Sequence, residues 1–574
     1  MKISKVRVRN YRSCFEVTAN LSNFTPIVGV NNSGKSNFIR AIAWALKPIA
    51  LDSSDFNNRN NDITVEFTVD EISNETLKLL ESGKHRERIE PFVHDEKIHI
   101  RRTMSATQSG AKALNLHVAK GDAHDFDSAD WKVNPTGLAN ALGVIFPDPI
   151  IIPAMSDAAE DVTKSKSGTT ITRLLQEIIT TVEEKHGLEI NDALKSAREI
   201  LDASGTNRSK VLTEIDGQAS SELSEIFPGV SVKIHVDMPD IKSIFKAATL
   251  KTFEGACERD VTDLGHGTQR SIQMALIRVL AQRAKNNRKG SNTLFLLEEP
   301  ELYLHPHAIE LLSESVKRLS KTGYQVLCVT HSPQMISREF MSSTLLVRKD
   351  SANGYTRILP SLKSIIEREV SNHEAQAEIV FDLSMTNDWL FSDKVILFEG
   401  ATERRLLPYI FKSEFKSSPV AKGAAFVSVD GCGSLSGAKK ILESMGIKVK
   451  VVCDIDHLVN NPEELDDSYK SNKILLSFIS HLGGASNGKR SAEYCKSSLA
   501  TFSAKVDWKT MCDEFSNRGI WVWEKGDIEA YLGITSKKAR DHRDWMKKAE
   551  LNGWESQARD ASGLKAMLHW VVQS

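Results

Sequence analysis

The chain has 574 residues, 41 % of them hydrophobic and 26 % charged, with a net charge of −1. That length holds roughly three or four domains with sizeable cores, and the near-zero charge excludes a global field drawing the protein onto nucleic acid, so any such contact must use local patches. Seven cysteines without a C-x-x-C pair argue against a disulfide framework or a zinc site and for a reducing cytosol. No run reaches about 18 apolar residues and the N-terminus lacks an apolar h-region, so neither signal peptide nor membrane span is expected, and the location is cytoplasmic.

Taken in chain order, "ISKVRVRNY" and "DITVEFTVD" (62–70) alternate with period two and read as strands with one wet face. "NFTPIVGVNNSGKSNFIRAIAWALKP" reads as strand, loop and helix, ended at Pro48. Residues 160–225 are polar with helical spacing, an inserted helical subdomain that is either a solvated hairpin or a dimerisation contact. Sustained heptads, which a long coiled-coil arm would need, are missing from it. From 260 to 350 helix and strand patterns alternate again, 350–392 reads as a linker plus helix, and from Lys394 apolar strands alternate with helices as in an open α/β sheet.

"GVNNSGKS", 29–36, matches G-x-x-x-x-G-K-[ST] in full, after a strand and before a helix. Gly29 and Gly34 let the loop turn its N–H groups onto phosphates at a helix N-terminus; Lys35 reaches the β/γ-phosphates and the Ser36 hydroxyl can bind Mg²⁺. Asn32 and Asn37 complete the candidate nucleotide loop. "TLFLLEEPELYLHP", 293–306, is an apolar strand ending in Glu298, a candidate for holding the metal, and Glu299, a candidate for polarising the attacking water. "VLCVTHSP", 326–333, ends in His331, placed to sense the γ-phosphate, and "DLGHGTQRSIQ" puts Gly265, Gly267 and Gln269 before an amphipathic helix. In this order the motifs resemble an ABC-type ATPase of the SMC-like branch, in which the Gly265–Gln269 loop would complete the ATP site of a second subunit. Two positions depart from that pattern: Glu298 stands for the usual Walker B Asp, and His305 for the D-loop acid.

The C-terminal third holds acids at strand ends. "KVILFEGATERRLLPYIF", 394–411, runs into Glu399, Gly400 and, one helical turn later, Glu403; "VVCDIDHL", 451–458, runs into Asp454 and Asp456. Side chains two apart on a strand point the same way, so these carboxylates would repel unless a cation sits between them. Strand–Glu-Gly followed by strand–Asp-x-Asp resembles a Toprim domain, whose chemistry needs hard oxygen ligands clustered on one or two Mg²⁺ ions. "WEKGDIEAYL", 523–532, can supply Asp527 and Glu529. "SKKARDHRDWMKK", 536–548, nets about +4 and reads either as a solvated helix face or as a phosphate contact near the metals.

"FSDKVILFEGATE" behind "EEPELYLHP" resembles the overcoming-lysogenization-defect (OLD) family of ATP-dependent endonucleases, from Lys2 to about Glu529. The resemblance implies an α/β chain with an N-terminal ABC/SMC-like ATPase domain (1–159 and 226–375) interrupted by the helical insertion (160–225), a linker (376–392) and a C-terminal Toprim α/β domain (393–574). It implies Glu399, Glu403, Asp454, Asp456, Glu529 and Asp527 as metal ligands and a late lysine near the scissile phosphate. Lys565 is the candidate for that lysine, though alone it reads as a solvated helix residue. The implied cofactors are ATP and Mg²⁺, with Mn²⁺ or Ca²⁺ substituting or assisting at the Toprim site. The implied partners are DNA, a second copy of the chain in a homodimer or higher even-numbered oligomer, and, in phage defence, a UvrD-like helicase or a retron reverse transcriptase with its DNA–RNA hybrid. The alternative is an SMC-like ATP-driven DNA clamp or repair factor with a non-cutting Toprim domain; a primase-like polymerase would share the metals but not the ATPase head.

Overall fold

The computed structural model describes residues 2–74, 77, 83–108, 110–121, 125–145, 149–152, 154, 170–236, 244, 250–286, 294–369, 383, 388–429, 434–462, 469–483, 490–502 and 505–573. The expected start of the helical insertion at 160 and most of the expected linker, 376–382 and 384–387, lie outside them.

The chain begins with β1 (Lys2–Tyr11), β2 (Cys14–Asn20) and β3 (Phe24–Val28), followed by β4 (Ile63–Asp70), β5 (Ile98–Met104), β6 (Leu114–Lys120) and β7 (Asp130–Val133). Six of these form an antiparallel sheet ordered β2-β1-β4-β5-β6-β7. Its alternation has a plain cause. Val6 lies opposite Phe67 and Val8 opposite Val65 on the face toward the core, while Arg7, between them, lies opposite Glu66 on the other face.

β8 (Ile150–Ile152), the hairpin β9 (Lys251–Glu254) and β10 (Cys257–Asp260), then β11 (Leu294–Glu298), β12 (Gln325–Val329), β13 (Leu345–Lys349) and β14 (Thr356–Ile358) come next. A second sheet, ordered β14-β13-β3-β12-β11-β8, is parallel except for β14. Both faces of β3, β11 and β12 are covered, which is why they read as unbroken apolar runs with every residue buried. The helix Lys35–Leu46 joins the two sheets, since Phe38, Ile39 and Ile42 share one core cluster with Val6 and Val65 on one side and Leu327 and Val329 on the other.

The helices Thr170–Leu201 and Lys210–Ile226 follow β8. Arg208 closes the turn between them through Asp216 at 2.7 Å and the carbonyls of Leu201 and Asp202. Leu188, Val211, Ile226 and Phe227 stay exposed.

β15 (Lys394–Phe398), β16 (Ala424–Ser428), β17 (Lys448–Cys453) and β18 (Ile520–Val522) form a parallel sheet ordered β16-β15-β17-β18. Parallel strands put all their carboxyl ends on one edge, where open α/β sheets place their ligands. Val28 and Leu346 of the head share a core cluster with Val395, Leu397 and Val451, so apolar packing runs unbroken from one half to the other. The α/β class expected for both halves is the one observed. No helix among the described residues is long and apolar enough to cross a membrane.

Candidate active sites

In the head, the loop after β3 needs its glycines. Gly29 (φ 155°) and Gly34 (φ 102°) adopt positive φ, and a Cβ would strike the Val347 carbonyl at Gly29 and the Thr356 hydroxyl at Gly34. Asn32, also at positive φ (63°), is exposed at the loop tip; Asn37 donates to Ser13 Oγ at 2.8 Å, and Ser36 lies half-buried in the first helical turn. Lys35 Nζ donates to the carbonyls of Gly29 and Val30, both at 2.9 Å. Burial pulls its pKa down to about 8, with Arg348 adding to the fall and Glu299 opposing it.

Glu298 is buried at the end of β11 and forked by Arg40 Nε and Nη2, each at 3.3 Å. Glu299 takes a left-handed backbone (φ 45°) that aims its carboxylate at His331, with Nε2 3.7 Å from Oε1. Burial, reinforced by the charge of Lys35 and opposed by Glu299 and Glu301, lowers the His331 pKa. Gly265 is exposed and Gly267 packs on the Tyr303 carbonyl, but the Gln269 amide donates to Leu264 and Thr262 carbonyls of its own loop. Gln269 therefore shapes the signature loop from behind.

Two head residues escaped the sequence reading. Arg270, 3 % exposed, donates to the carbonyls of Glu298, Glu299 and Pro300 and fastens the helix His266–Asn286 to the acidic turn. Glu301 Oε1 accepts from Thr330 Oγ1 (2.7 Å), His331 N (2.7 Å) and Ser332 N (3.2 Å), fixing the His331 loop. The doubled acids in "EEPE" were the only signal for Glu301; Arg270 had none beyond its place after Gln269.

In the C-terminal half, three adjacent strands deliver the acids. Glu399 follows β15 with Glu403 in the next helical turn, Asp454 and Asp456 follow β17, and Asp527 and Glu529 follow β18. Glu399 Oε1 accepts from Asp454 N at 3.2 Å and lies 3.4 Å from His457 Nδ1. Thr402 Oγ1 donates to Glu529 Oε1 at 2.5 Å and meets His542 Nε2 at 3.2 Å; Asp527 caps its own helix through Ala530 N at 2.8 Å. Burial raises the pKa of Glu399 to about 8, helped by Asp456, and of Glu403 to about 7, helped by Glu529. Asp454 and Asp456 are raised as well, again first by burial.

Among the described residues no three of these side chains close to the spacing of one metal shell. A cation already stands between two of them: Lys537 Nζ is 3.6 Å from Asp454 Oδ2 and 3.9 Å from Glu529 Oε2. The donor set nonetheless suits a hard cation, because Asp454 Oδ1, Asp456 Oδ1 and Glu529 Oε2 are buried and have no hydrogen-bond partner among the described residues. Lys565 is elsewhere, paired with Glu555 at 2.8 Å and Glu414 at 3.8 Å over the Trp554 ring, so the structure does not bring it to the acids. The lysine at the acids, Lys537, comes from the basic stretch 536–548.

Two family models match: an AAA ATPase domain over residues 1–130 and 146–336, and an overcoming lysogenization defect protein-like TOPRIM domain over 390–456. The Old nuclease of Escherichia phage P2 is 35 % identical over 560 residues, covering 94 % of either chain. Endonuclease GajA of Bacillus cereus (strain VD045) is 22 % identical, covering 71 % of this chain and 67 % of that one. A solved SMC head bound to the C-winged helix domain of ScpA matches at a TM-score of 0.37 and 15 % identity, over 63 % of this chain and 99 % of that one. With an ATPase domain and a Toprim domain matched in that order, and 35 % identity to the phage enzyme over 94 % of its length, the chain belongs to the Old nuclease family.

Proposed function

We propose that this chain is an ATP-regulated, Mg²⁺-dependent DNA endonuclease. One observation carries the reading: six carboxylates at the ends of three adjacent parallel strands, three of their oxygens buried and without a hydrogen-bond partner among the described residues. Bare, crowded carboxylates are unfavourable without a divalent cation and are the donors that Mg²⁺ prefers. Held by these residues, Mg²⁺ would supply an activated water and neutralise charge on the scissile phosphate. The chain's own part is to hold the cations with Glu399, Glu403, Asp454, Asp456 and Glu529, with Asp527 at the margin. Thr402 and His542 orient Glu529, and Lys537 turns an ammonium toward the phosphate oxygens.

In the head, Lys35 and Ser36 take the triphosphate and its Mg²⁺, Glu298 supports the metal, Glu299 orients and deprotonates water, and His331 contacts the γ-phosphate. A second chain contributes its Gly265–Gln269 loop to each ATP site. The exposed apolar residues of the helices Thr170–Leu201 and Lys210–Ile226 support a role in that contact. Nucleotide state reaches the nuclease through β13, which abuts the phosphate loop and leads toward β15. Family membership supports a part in defence against phage, alone or with a helicase or a retron reverse transcriptase.

The test is supercoiled plasmid incubated with the protein and Mg²⁺, Mn²⁺ or Zn²⁺. Nicking with Mg²⁺ or Mn²⁺, little with Zn²⁺ alone and none in EDTA is expected. Full cleavage in EDTA would overturn the metal mechanism. Plaque counts with the wild type and Asp454→Ala test the defence role.

A further inference from the structure

Beside the acid cluster lies a concavity of about 450 Å³ lined by Lys496, Lys509, Lys525, Arg559, Trp508 and Glu524. Lys525 pairs with Asp560, but Lys496, Lys509 and Arg559 have no ion-pair partner among the described residues. Three lining cations without an ion pair thus stand beside one carboxylate, Glu524, whose pKa burial raises against the opposing charges of Lys509 and Lys525. Trp508 is 4 % exposed, and its buried indole N–H has no hydrogen-bond acceptor among the described residues.

The concavity and the acids share a segment. Glu524, Lys525 and Ala530 line the concavity, while Asp527 and Glu529 belong to the cluster. Gly526, at φ 106°, lets the stem of Lys496 cross within two residues of Asp527; a Cβ there would lie 3.1 Å from Lys496 Cδ. Two residues of backbone span at most about 7 Å, so an anion in the concavity is a near neighbour of a phosphate at the acids.

We propose that this concavity binds backbone phosphates of the nucleic-acid strand that flanks the scissile bond, with Lys496, Lys509 and Arg559 as the phosphate ligands. The inference rests on the nuclease reading and adds the path of the substrate to it. Isolated cations on one concave surface recognise a polyanion without regard to base sequence, and each phosphate contact adds about 0.9 to the slope of log affinity against log salt. A free nucleotide carries the same phosphate chemistry and is the competing occupant.

The test uses the full-length Lys496→Ala/Lys509→Ala/Arg559→Ala variant and a labelled duplex, with binding read by fluorescence anisotropy in EDTA across a series of KCl concentrations. Affinity should fall at least about tenfold at moderate salt and the salt slope should shrink by about two to three, while ATP hydrolysis stays at the wild-type rate and reports a folded chain. Wild-type affinity and slope in the variant would overturn the proposal, and if plasmid is still cut the nuclease reading survives. DNA bound through these residues by a protein that never cuts would leave this proposal standing and overturn the nuclease reading. The second arm titrates a deoxynucleoside monophosphate. Quenching of the wild-type fluorescence but not of Trp508→Phe, with DNA binding indifferent to the triple change, would assign the concavity to a free nucleotide instead.

Discussion

Lys537 Nζ stands 3.6 Å from Asp454 Oδ2 and 3.9 Å from Glu529 Oε2, linking the ends of β17 and β18 through one ammonium. The neighbouring carboxylates hold its proton firmly and raise its pKa against the opposing effect of burial. A cation so placed can partner the acids or the phosphate that the acids serve. Lys537→Ala should therefore lower plasmid cleavage about 10²–10³-fold, the usual loss when one stabiliser of transition-state charge is removed. Lys565→Ala, which breaks only the pairs with Glu555 and Glu414, should leave cleavage within about twofold. Gel assays of both variants decide between the two lysines, and the reverse ranking would reject Lys537.

The raised carboxylates tie stability to pH. Glu399 and Glu403 keep their protons to about 8 and about 7 in the fold but ionise near 4.5 in the open chain. Groups with raised folded-state values favour the folded state fully below the unfolded pKa, and that contribution is lost as pH rises through the folded pKa. In EDTA the Tm should therefore drop between about pH 4.5 and 8, and Glu399→Gln should flatten the drop. Mg²⁺ added at pH 8 should raise Tm and release protons, because the ligands must be ionised to bind it. A Tm profile in EDTA that is the same for wild type and Glu399→Gln would remove Glu399 from this account.

Both motif sets were legible because their chemistry is local. The phosphate loop needs glycines at fixed offsets, and each acid pair closes an apolar run whose burial demands a strand. Lys537 was hidden for the opposite reason. The helix Ala539–Asn552 packs through His542 and Trp545, and that tertiary contact carries the preceding Lys537 to the acids. Periodicity could show that 536–548 is basic, not which of its cations turns inward. Arg270 acts on three backbone carbonyls, which leave no mark in a side-chain pattern. The antiparallel sheet was read only in β1 and β4, although β6, "LNLHVAK", alternates as they do; β5 loses its alternation at Arg101 and Arg102, and β7, "DWKV", is too short to show one.

In the head, Glu299 and Lys35 should fail differently. Glu299→Gln preserves shape and the contact with His331 but cannot accept a proton from water, so ATP should bind normally and turn over about 10²–10⁴-fold more slowly. Lys35→Ala removes the ammonium from the loop and should weaken ATP binding itself. Nucleotide affinity by calorimetry beside phosphate release separates the two. Hydrolysis by Glu299→Gln at the wild-type rate would strip Glu299 of its role as base.

The coupling proposed between the two sites has a physical candidate in Arg348. It sits on β13 beside Val347, whose carbonyl confines Gly29, and its charge lowers the pKa of Lys35. Its Nη2 donates to Ser392 O at 2.7 Å and Leu390 O at 3.3 Å, immediately before β15, the strand that ends at Glu399. Its Nη1 is buried with no hydrogen-bond partner among the described residues. Phosphates arriving at Lys35 change the field at Arg348, and a guanidinium with one uncommitted nitrogen can shift toward them only by loosening its hold on 390–392. A ligand biases a distant site only through such a difference in interaction between states. Arg348→Met keeps the length and apolar body of the side chain but neither donates nor carries charge. ATP hydrolysis should stay within about threefold of wild type, while the ratio of plasmid cleavage with and without ATP should collapse toward one from a typical coupling of about 5–150-fold. The sign of the wild-type effect does not matter to the test, because only the ratio is read. An Arg348→Met protein whose cleavage responds to ATP as the wild type does would show that nucleotide state reaches the acids by another route.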